Sequence, residues 1–292
     1  MRKFLIVTAD DFGLHGAVNE AVEHAAHAGI LTAASLMVGA PAAEDAIRRA
    51  RALPDLRVGL HVVLADGQAT LAPHLVPALA DAAGRMDGRM LNRGLRYFAL
   101  RSVRRQLDAE IRAQFSAFAR TGLKLDHVNA HKHFHLHPSV LDMLLGIGRD
   151  YGVNAVRVPD EPYWFASRSG GWAAGAGAAL LSPWVALMKM RLRSAGMLHN
   201  DHIFGVAASG AMDEGKLLEV IRRLPPGVSE IYLHPATAGH VVSPTMNGYR
   251  HSAELAALLS PRVRAALTEA RVGHGGYGDV PREDGASTQL RP

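Results

Sequence analysis

The chain has 292 residues, 48% hydrophobic and 20% charged, enough for one large α/β domain or two small ones. Having no cysteine, it excludes a disulfide framework and a thiolate metal site. Its formal charge of +5 favours anionic partners, but Arg101, Arg104 and Arg105 sit on a predicted helix and no basic stripe with interleaved aromatics is present, so nucleic acid is not expected as a partner.

The N-terminus, MRKFLIVTADD, has an apolar run too short for a secretory segment and reads as a first strand over 3–8, consistent with a cytoplasmic protein. Val18, Ala21, Val22, Ala25 and Ala26 then form a helical stripe that stops at Gly29. A strand at 31–38, a helix at 42–52 and a strand at 57–64 continue the alternation, which implies parallel strands joined by right-handed crossovers. Residues 65–98 read as a long loop. Val103, Leu107, Ile111, Phe115 and Phe118 mark a helix over 101–121. After the stretch 126–138 come a helix at 138–150, a strand at 154–158, strands at 202–207 and 229–234 with a helix near 213–223 between them, a helix at 261–271, a final strand and a polar tail from about 281, expected to be disordered. Residues 1–280 are expected to form one domain, with an insert at about 160–200 serving as a lid or membrane-contact segment.

The stretch DHVNAHKHFHLHP places histidines at 131, 133, 135 and 137, with His127 upstream. A period of two is a strand period, so the four imidazoles are expected on one face of a strand and its exit. One metal site needs fewer histidines, leaving some to serve substrate or nothing. In parallel α/β folds, functional groups gather where strands end. Asp10 and Asp11, His61, His131 and His234 all stand at or near predicted strand ends. Adjacent aspartates are poor core residues. Asp11, His61 and His131 would give a divalent ion one oxygen and two nitrogens, with positions left for water and substrate. Asp10, pointing the other way on an extended chain, is placed to take a proton from the attacking water. His234 is placed to protonate a leaving amine. The softness of two imidazoles favours zinc.

TADDFG at 8–13, GLH at 59–61, HxHxHxxP within 126–138 and LHPA at 233–236 together resemble the YdjC/ChbG family of carbohydrate deacetylases. LTAASLMVGAPAA, SVRRQLDAEIRAQF and DHVNAHKHFHLHP resemble its hopanoid biosynthesis-associated HpnK branch. The resemblance implies a TIM-like (β/α) barrel, often seven-stranded, holding one divalent metal, zinc or magnesium. It implies Asp11, His61 and His131 as ligands, Asp10 as general base, His234 as general acid, and a homodimer as a common assembly. It further implies N-deacetylation of an N-acetylglucosaminyl hopanoid lipid, the alternatives being soluble N-acetylated chitooligosaccharides or a non-catalytic metal- or lipid-binding role. Sugar-processing relatives usually carry Asp-Ser where this chain has Asn129-Ala130, which alters any charge supplied behind the metal. Arg157 is expected to orient Asp10, while His133 and His135, on a strand running on from the rim, rank below His131 for substrate or metal.

Residues 172–195 are apolar up to Met188, then carry Lys189, Arg191 and Arg193. A spanning helix is disfavoured by its Ala/Gly content and by Pro183; a capping helix or an interfacial segment over Ala173–Arg193, at the inner face of the cytoplasmic membrane, fits better. Two carboxylates on separate strands, the usual glycosidase pattern, are not seen.

Overall fold

The computed structural model describes residues 3–237 and 243–281; residues 282–292 of the expected tail lie outside the described residues. The strands are β1 (Lys3–Phe12), β2 (Ala33–Leu36), β3 (Arg57–Val62), β4 (Gly67–Gln68), β5 (Arg85–Met86), β6 (Leu125–Ala130), β7 (His202–Phe204), β8 (Gly227–Leu233) and β9 (Gly273–His274). The helices are α1 (Gly16–Ala28), α2 (Ala43–Arg51), α3 (Met90–Ala99), α4 (Arg101–Arg120), α5 (Pro138–Asp150), α6 (Tyr163–Ser194), α7 (Glu214–Arg222), α8 (His251–Leu259) and α9 (Pro261–Ala270).

One parallel sheet runs in the order β6-β3-β2-β1-β8-β7, with β9 pairing to β1. It curls as a half-barrel. Between its ends the predicted strand at 154–158 is reduced to single bridges, Val128 to Val156 and Ala155 to Leu198. The expected seven-stranded TIM-like barrel is thus met as a curled parallel sheet with six strands in its path. Side chains of the short polar segment His199-Asn200-Asp201 satisfy backbone groups here; Asn200, for example, accepts from the Val158 N–H and donates to the Val158 carbonyl.

β1 shows how the sheet divides its labour. Its successive side chains point to opposite faces. Leu5, Val7 and Ala9 join the large core, to which α1, α2, α4, α5 and α7 also contribute. Phe4 and Ile6 form a small inner cluster with Ala33, Ala155 and Tyr277. Thr8 and Asp10 continue the inner row, so the barrel interior passes from apolar to ionic towards the strands' C-terminal ends. All these positions are buried.

Three stretches depart from the sequence reading. The supposed loop 65–98 contains the antiparallel β4–β5 hairpin and helix α3. Helix α8 was not expected; its short, evenly apolar sequence gives little periodicity. Residues 163–194 form a helix broken at Gly171, where φ is 78° and ψ is −179°, and Pro183 is accommodated within it.

Gly59, in the GLH stretch of β3, leaves room for a neighbour rather than flexibility. A Cβ there would stand 2.5 Å from the buried His127 ring. Gly59→Ala is expected to cost about 1–3 kcal/mol through overpacking and to lower the calorimetric melting temperature by several degrees. An unchanged melting temperature would contradict this packing.

Candidate active site

β1 ends in a turn that presents both aspartates. Asp11 takes a left-handed φ of 61°, an uncommon conformation for a residue with a side chain. The Leu14 N–H donates to the Asp11 carbonyl at 2.9 Å, and Gly13 N–H donates to buried Asn19 Oδ1 at 2.8 Å. The strained turn is therefore held from both sides, and it leaves the Asp10 and Asp11 carboxylates facing different partners.

Asp11 meets His61 and His131. His131 Nδ1 lies 3.0 Å and His61 Nε2 3.3 Å from Asp11 Oδ1. One donor atom from each of the three buried residues falls within 4.8 Å of the others. His234, just past β8, is farther out, with Nε2 3.9 Å from Asp11 Oδ2.

The hydrogen bonds behind His61 fix its tautomer. β3 and β6 pair with His61 opposite Asn129. Asn129 Nδ2 donates to Asp10 Oδ1 at 3.2 Å and to Ser35 Oγ at 3.0 Å. Its Oδ1 therefore faces His61 Nδ1, 2.6 Å away, and accepts that nitrogen's hydrogen. His61 Nε2 is left with a lone pair pointed at a carboxylate oxygen. Neither buried oxygen of Asp11 accepts a well-formed hydrogen bond. The His61 lone pair and the Asp11 oxygens meet without a hydrogen between them, which suits a cation, and with His131 deprotonated the donor set fits a divalent ion with vacant positions.

The relay extends further back. His127 Nδ1 donates to Asp126 Oδ2 at 3.0 Å, so its Nε2 accepts from Ser35 Oγ at 3.1 Å. Asp126 in turn accepts the backbone N–H groups of Tyr277 and Gly278 at 3.1 and 2.8 Å.

Asp10 faces the other way, into a buried ion cluster. Arg157 Nη1 and Nη2 donate to its two oxygens at 2.5 and 2.9 Å. Nε and Nη2 of the same guanidinium donate to Glu230 at 3.1 and 2.8 Å. Glu230 also accepts from Thr8 Oγ1 and from Tyr277 Oη, both at 2.6 Å. Burial alone would raise the Asp10 carboxyl, but Arg157, with help from His61, outweighs it and holds Asp10 far below the usual carboxylate range. Three carboxylates (Asp10, Asp11, Glu230) against one guanidinium leave this centre formally short of two positive charges. His131 responds: burial disfavours its imidazolium, yet Asp11 beside it raises the pKa to about 9. Burial keeps His234 below its ordinary value and therefore neutral at pH 7.

The histidine row is not a strand face. β6 stops at Ala130, and residues 131–136 form a 3-10 turn in which Lys132 and His133 both adopt left-handed φ, 53° and 54°. Only His131 reaches the Asp11 cluster. His133 Nε2 pairs with Tyr232 Oη at 3.1 Å, and His135 Nδ1 accepts from Ala130 N–H at 3.2 Å. His137 Nε2 donates to the Gly94 carbonyl at 3.0 Å. The expectation that His133 and His135 run on away from the rim is therefore corrected: the turn folds them back, and each fastens it to a different element. Burial, then nearby positive groups, lower both; His133 falls to about 3.

Among the expected residues, Asp10, Asp11, His61, His131, Asn129, Arg157 and His234 are thus brought to one rim. The sequence reading missed Ser35, His127, Glu230 and Tyr232. Glu230 did leave a signal, as a lone charge inside the apolar run of VSEIYL.

The curled parallel α/β sheet carries at its C-terminal rim a buried Asp-His-His cluster that could hold a metal ion, beside a second, arginine-held aspartate. The family described as YdjC-like protein matches residues 4–269, and the chain belongs to that family. It is similar to the carbohydrate deacetylase of Brevibacillus brevis, 38% identical over 155 residues, covering 53% of this chain and 59% of that protein. That of Geobacillus stearothermophilus is 37% identical over 163 residues, 56% of this chain and 60% of the relative. The chain thus spans less than two thirds of the length of either. The carbohydrate deacetylase of Thermoanaerobacter pseudethanolicus is 26% identical over 234 residues, covering 80% of this chain and 81% of the relative. The crystal structure of an Enterococcus faecalis protein, provisionally described as a cellobiose-phosphate cleavage protein, shares the fold with a TM-score of 0.73 at 22% identity, covering 97% of this chain and 100% of the other.

An ion bound at Asp11, His61 and His131 must displace the proton that Asp11 stabilises on His131. Zinc affinity is therefore expected to weaken by about tenfold for each unit of pH lowered from about 8 to 6, as read by calorimetric titration. A flat dependence would contradict the ligand set.

Proposed function

We propose that the protein hydrolyses the acetamide of an N-acetylated carbohydrate with the help of one divalent ion. The observation that carries this reading is the convergence of Asp11, His61 and His131 with an unshared lone pair and two unsatisfied carboxylate oxygens at the centre. These three residues would hold the ion, zinc by ligand softness or magnesium. Such an ion, when bound, acidifies water and stabilises developing negative charge on a carbonyl oxygen. Asp10 accepts the proton that the attacking water loses. Arg157 keeps it ionised at rest, so it is always free to accept. His234, neutral at rest, serves as an acid only after receiving a proton within the cycle, and then delivers it to the departing nitrogen. The balance is amide plus water to acetate plus amine.

For the acceptor we infer an N-acetylglucosaminyl hopanoid. What supports it is the likeness of three stretches, 31–43, 102–115 and 126–138, to the HpnK branch, and a surface suited to lipid. Among the described residues α6 is the one helix long and apolar enough to cross a membrane by length and composition, and its most apolar stretch is largely exposed. Trp172 and Leu180 are 78% and 83% exposed. We read it as lying at a bilayer surface rather than spanning, because Phe165, Val185, Met188 and Leu192 are buried in the protein. A soluble chitooligosaccharide is the second reading, favoured by the carbohydrate deacetylases to which the chain is similar.

Mass spectrometry of products from N-acetylglucosaminyl bacteriohopanetetrol and from diacetylchitobiose separates these acceptors; loss of acetyl from chitobiose alone would overturn the lipid assignment. Asp10→Asn is expected to lower acetate release by about 10²–10⁴-fold while retaining bound metal, and turnover surviving in that variant would remove Asp10 as the base. Trp172→Ser combined with Leu180→Glu is expected to abolish most cosedimentation with phosphatidylglycerol vesicles. Wild-type protein that stays in the supernatant would exclude the surface role of α6.

A further inference from the structure

Helix α3 and its C-cap leave three large apolar side chains largely exposed among the described residues: Leu95, Phe98 and Leu100 are 71%, 68% and 46% exposed. The helix is not loosely placed. Buried Arg93 donates to the Leu79 carbonyl at 2.7 Å and to Asp87 at 2.9 Å. Tyr97 Oη donates to the carbonyl of Leu64 at 2.8 Å, two residues past the end of β3, the strand that bears His61. His137 ties the Gly94 carbonyl to the histidine turn. An apolar face is thus displayed on a helix fixed at several points, and an exposed patch of this kind marks a binding surface.

Between that face and the histidine turn lies a groove of about 470 Å³, within the size range of small-molecule sites. Met90, Leu95, Phe98, Phe134 and Leu136 give it an almost wholly apolar lining, to which Lys132 and His133 also belong. Those two residues directly follow His131, whose Nδ1 faces Asp11. The groove and the Asp-His-His cluster are therefore two sides of one six-residue turn.

The geometry points to this groove as the subsite for an apolar aglycone, a hydrocarbon group attached to the sugar whose acetamide lies at the cluster. This assignment rests on the carbohydrate-amide reading above, and it holds for any hydrocarbon long enough to pass from Lys132 to Phe98. Each methylene buried there is worth roughly fourfold in affinity, so even a short chain half-sunk in the groove should be felt.

The test is calorimetric binding of octyl and methyl N-acetyl-β-glucosaminide, the octyl compound kept below its micelle concentration, to the zinc-loaded full chain and to the Leu95→Ser/Phe98→Ser variant. Both substitutions are at exposed positions, and melting temperature checks the fold. The octyl compound is expected to bind about tenfold tighter or better than the methyl compound, and the variant to lose most of that difference while keeping its methyl affinity. Equal affinities in the wild type would overturn the subsite, as would a preference that survives in the variant. A variant that loses vesicle binding but keeps the octyl preference would also overturn it, making the face a bilayer contact. Acetate release is measured separately: tight octyl binding without acetate would count against the proposed hydrolysis and leave the groove standing.

Discussion

The Arg157 guanidinium, wholly buried between Asp10 and Glu230, is the constraint from which the rest of the rim follows. Removing three charges from water is expensive, and a buried ion group of this kind gains little or nothing over a packed apolar core. Its value is positional. With all the donors of one face of Arg157 committed, Asp10 can neither rotate towards His61 nor take up a proton at rest. Asp11, its neighbour in sequence, is thereby obliged to be the carboxylate that meets the imidazoles. The positive φ at Asp11 is the backbone expression of the same division.

Glu230 makes that arrangement part of the fold. It lies on β8, opposite Ile6 of β1, and takes hydrogen bonds from Thr8 and Tyr277 as well as from Arg157. Tyr277 Oη is shared with Asn200, and the backbone of Tyr277 and Gly278 caps Asp126, where the relay through His127, Ser35 and Asn129 begins. One short turn near the end of the described chain therefore supports both halves of the site: the ion cluster behind Asp10 and the tautomer of His61. A strand register set by apolar residues in the lower layers fixes where each of these polar groups can reach.

Much of this was legible in the residues. The alternation of strands and helices through β3 and the positions of Asp10, Asp11, His61, His131 and His234 at strand ends follow from periodicity and from the rule that function gathers at those ends. The histidine row was misread because a period of two is also what a tight turn can produce when two consecutive residues go left-handed, and nothing local in Lys132-His133 announces that. Helix α3 was hidden by the glycines and arginines around it and because the buried positions among its described side chains, Arg93 and Tyr97, do not look apolar on paper. Glu230 stood out only as a charge inside an apolar run, and His127 not at all, because each serves partners far away in sequence and a single chain gives no sign of such pairings.

The turn at 131–136 joins these threads. Left-handed backbone at two successive non-glycine residues carries a cost, and it is offset by fastening the turn at three points: His133 to Tyr232 of β8, His135 to the end of β6, and His137 to α3. An extended strand would have placed alternate histidines along one line and sent the chain away from the rim. The turn instead aims one imidazole at Asp11 and spends the other three as ties, while Phe134 and Leu136 become a wall of the neighbouring groove. The α6 helix is tied to the same wall, since Trp184 Nε1 donates to the Leu136 carbonyl at 2.8 Å. The segment that supplies one imidazole of the Asp11 cluster is therefore also the segment against which α3 and α6 are braced. The cluster, the groove wall and the footing of both helices are thus set by a single piece of backbone.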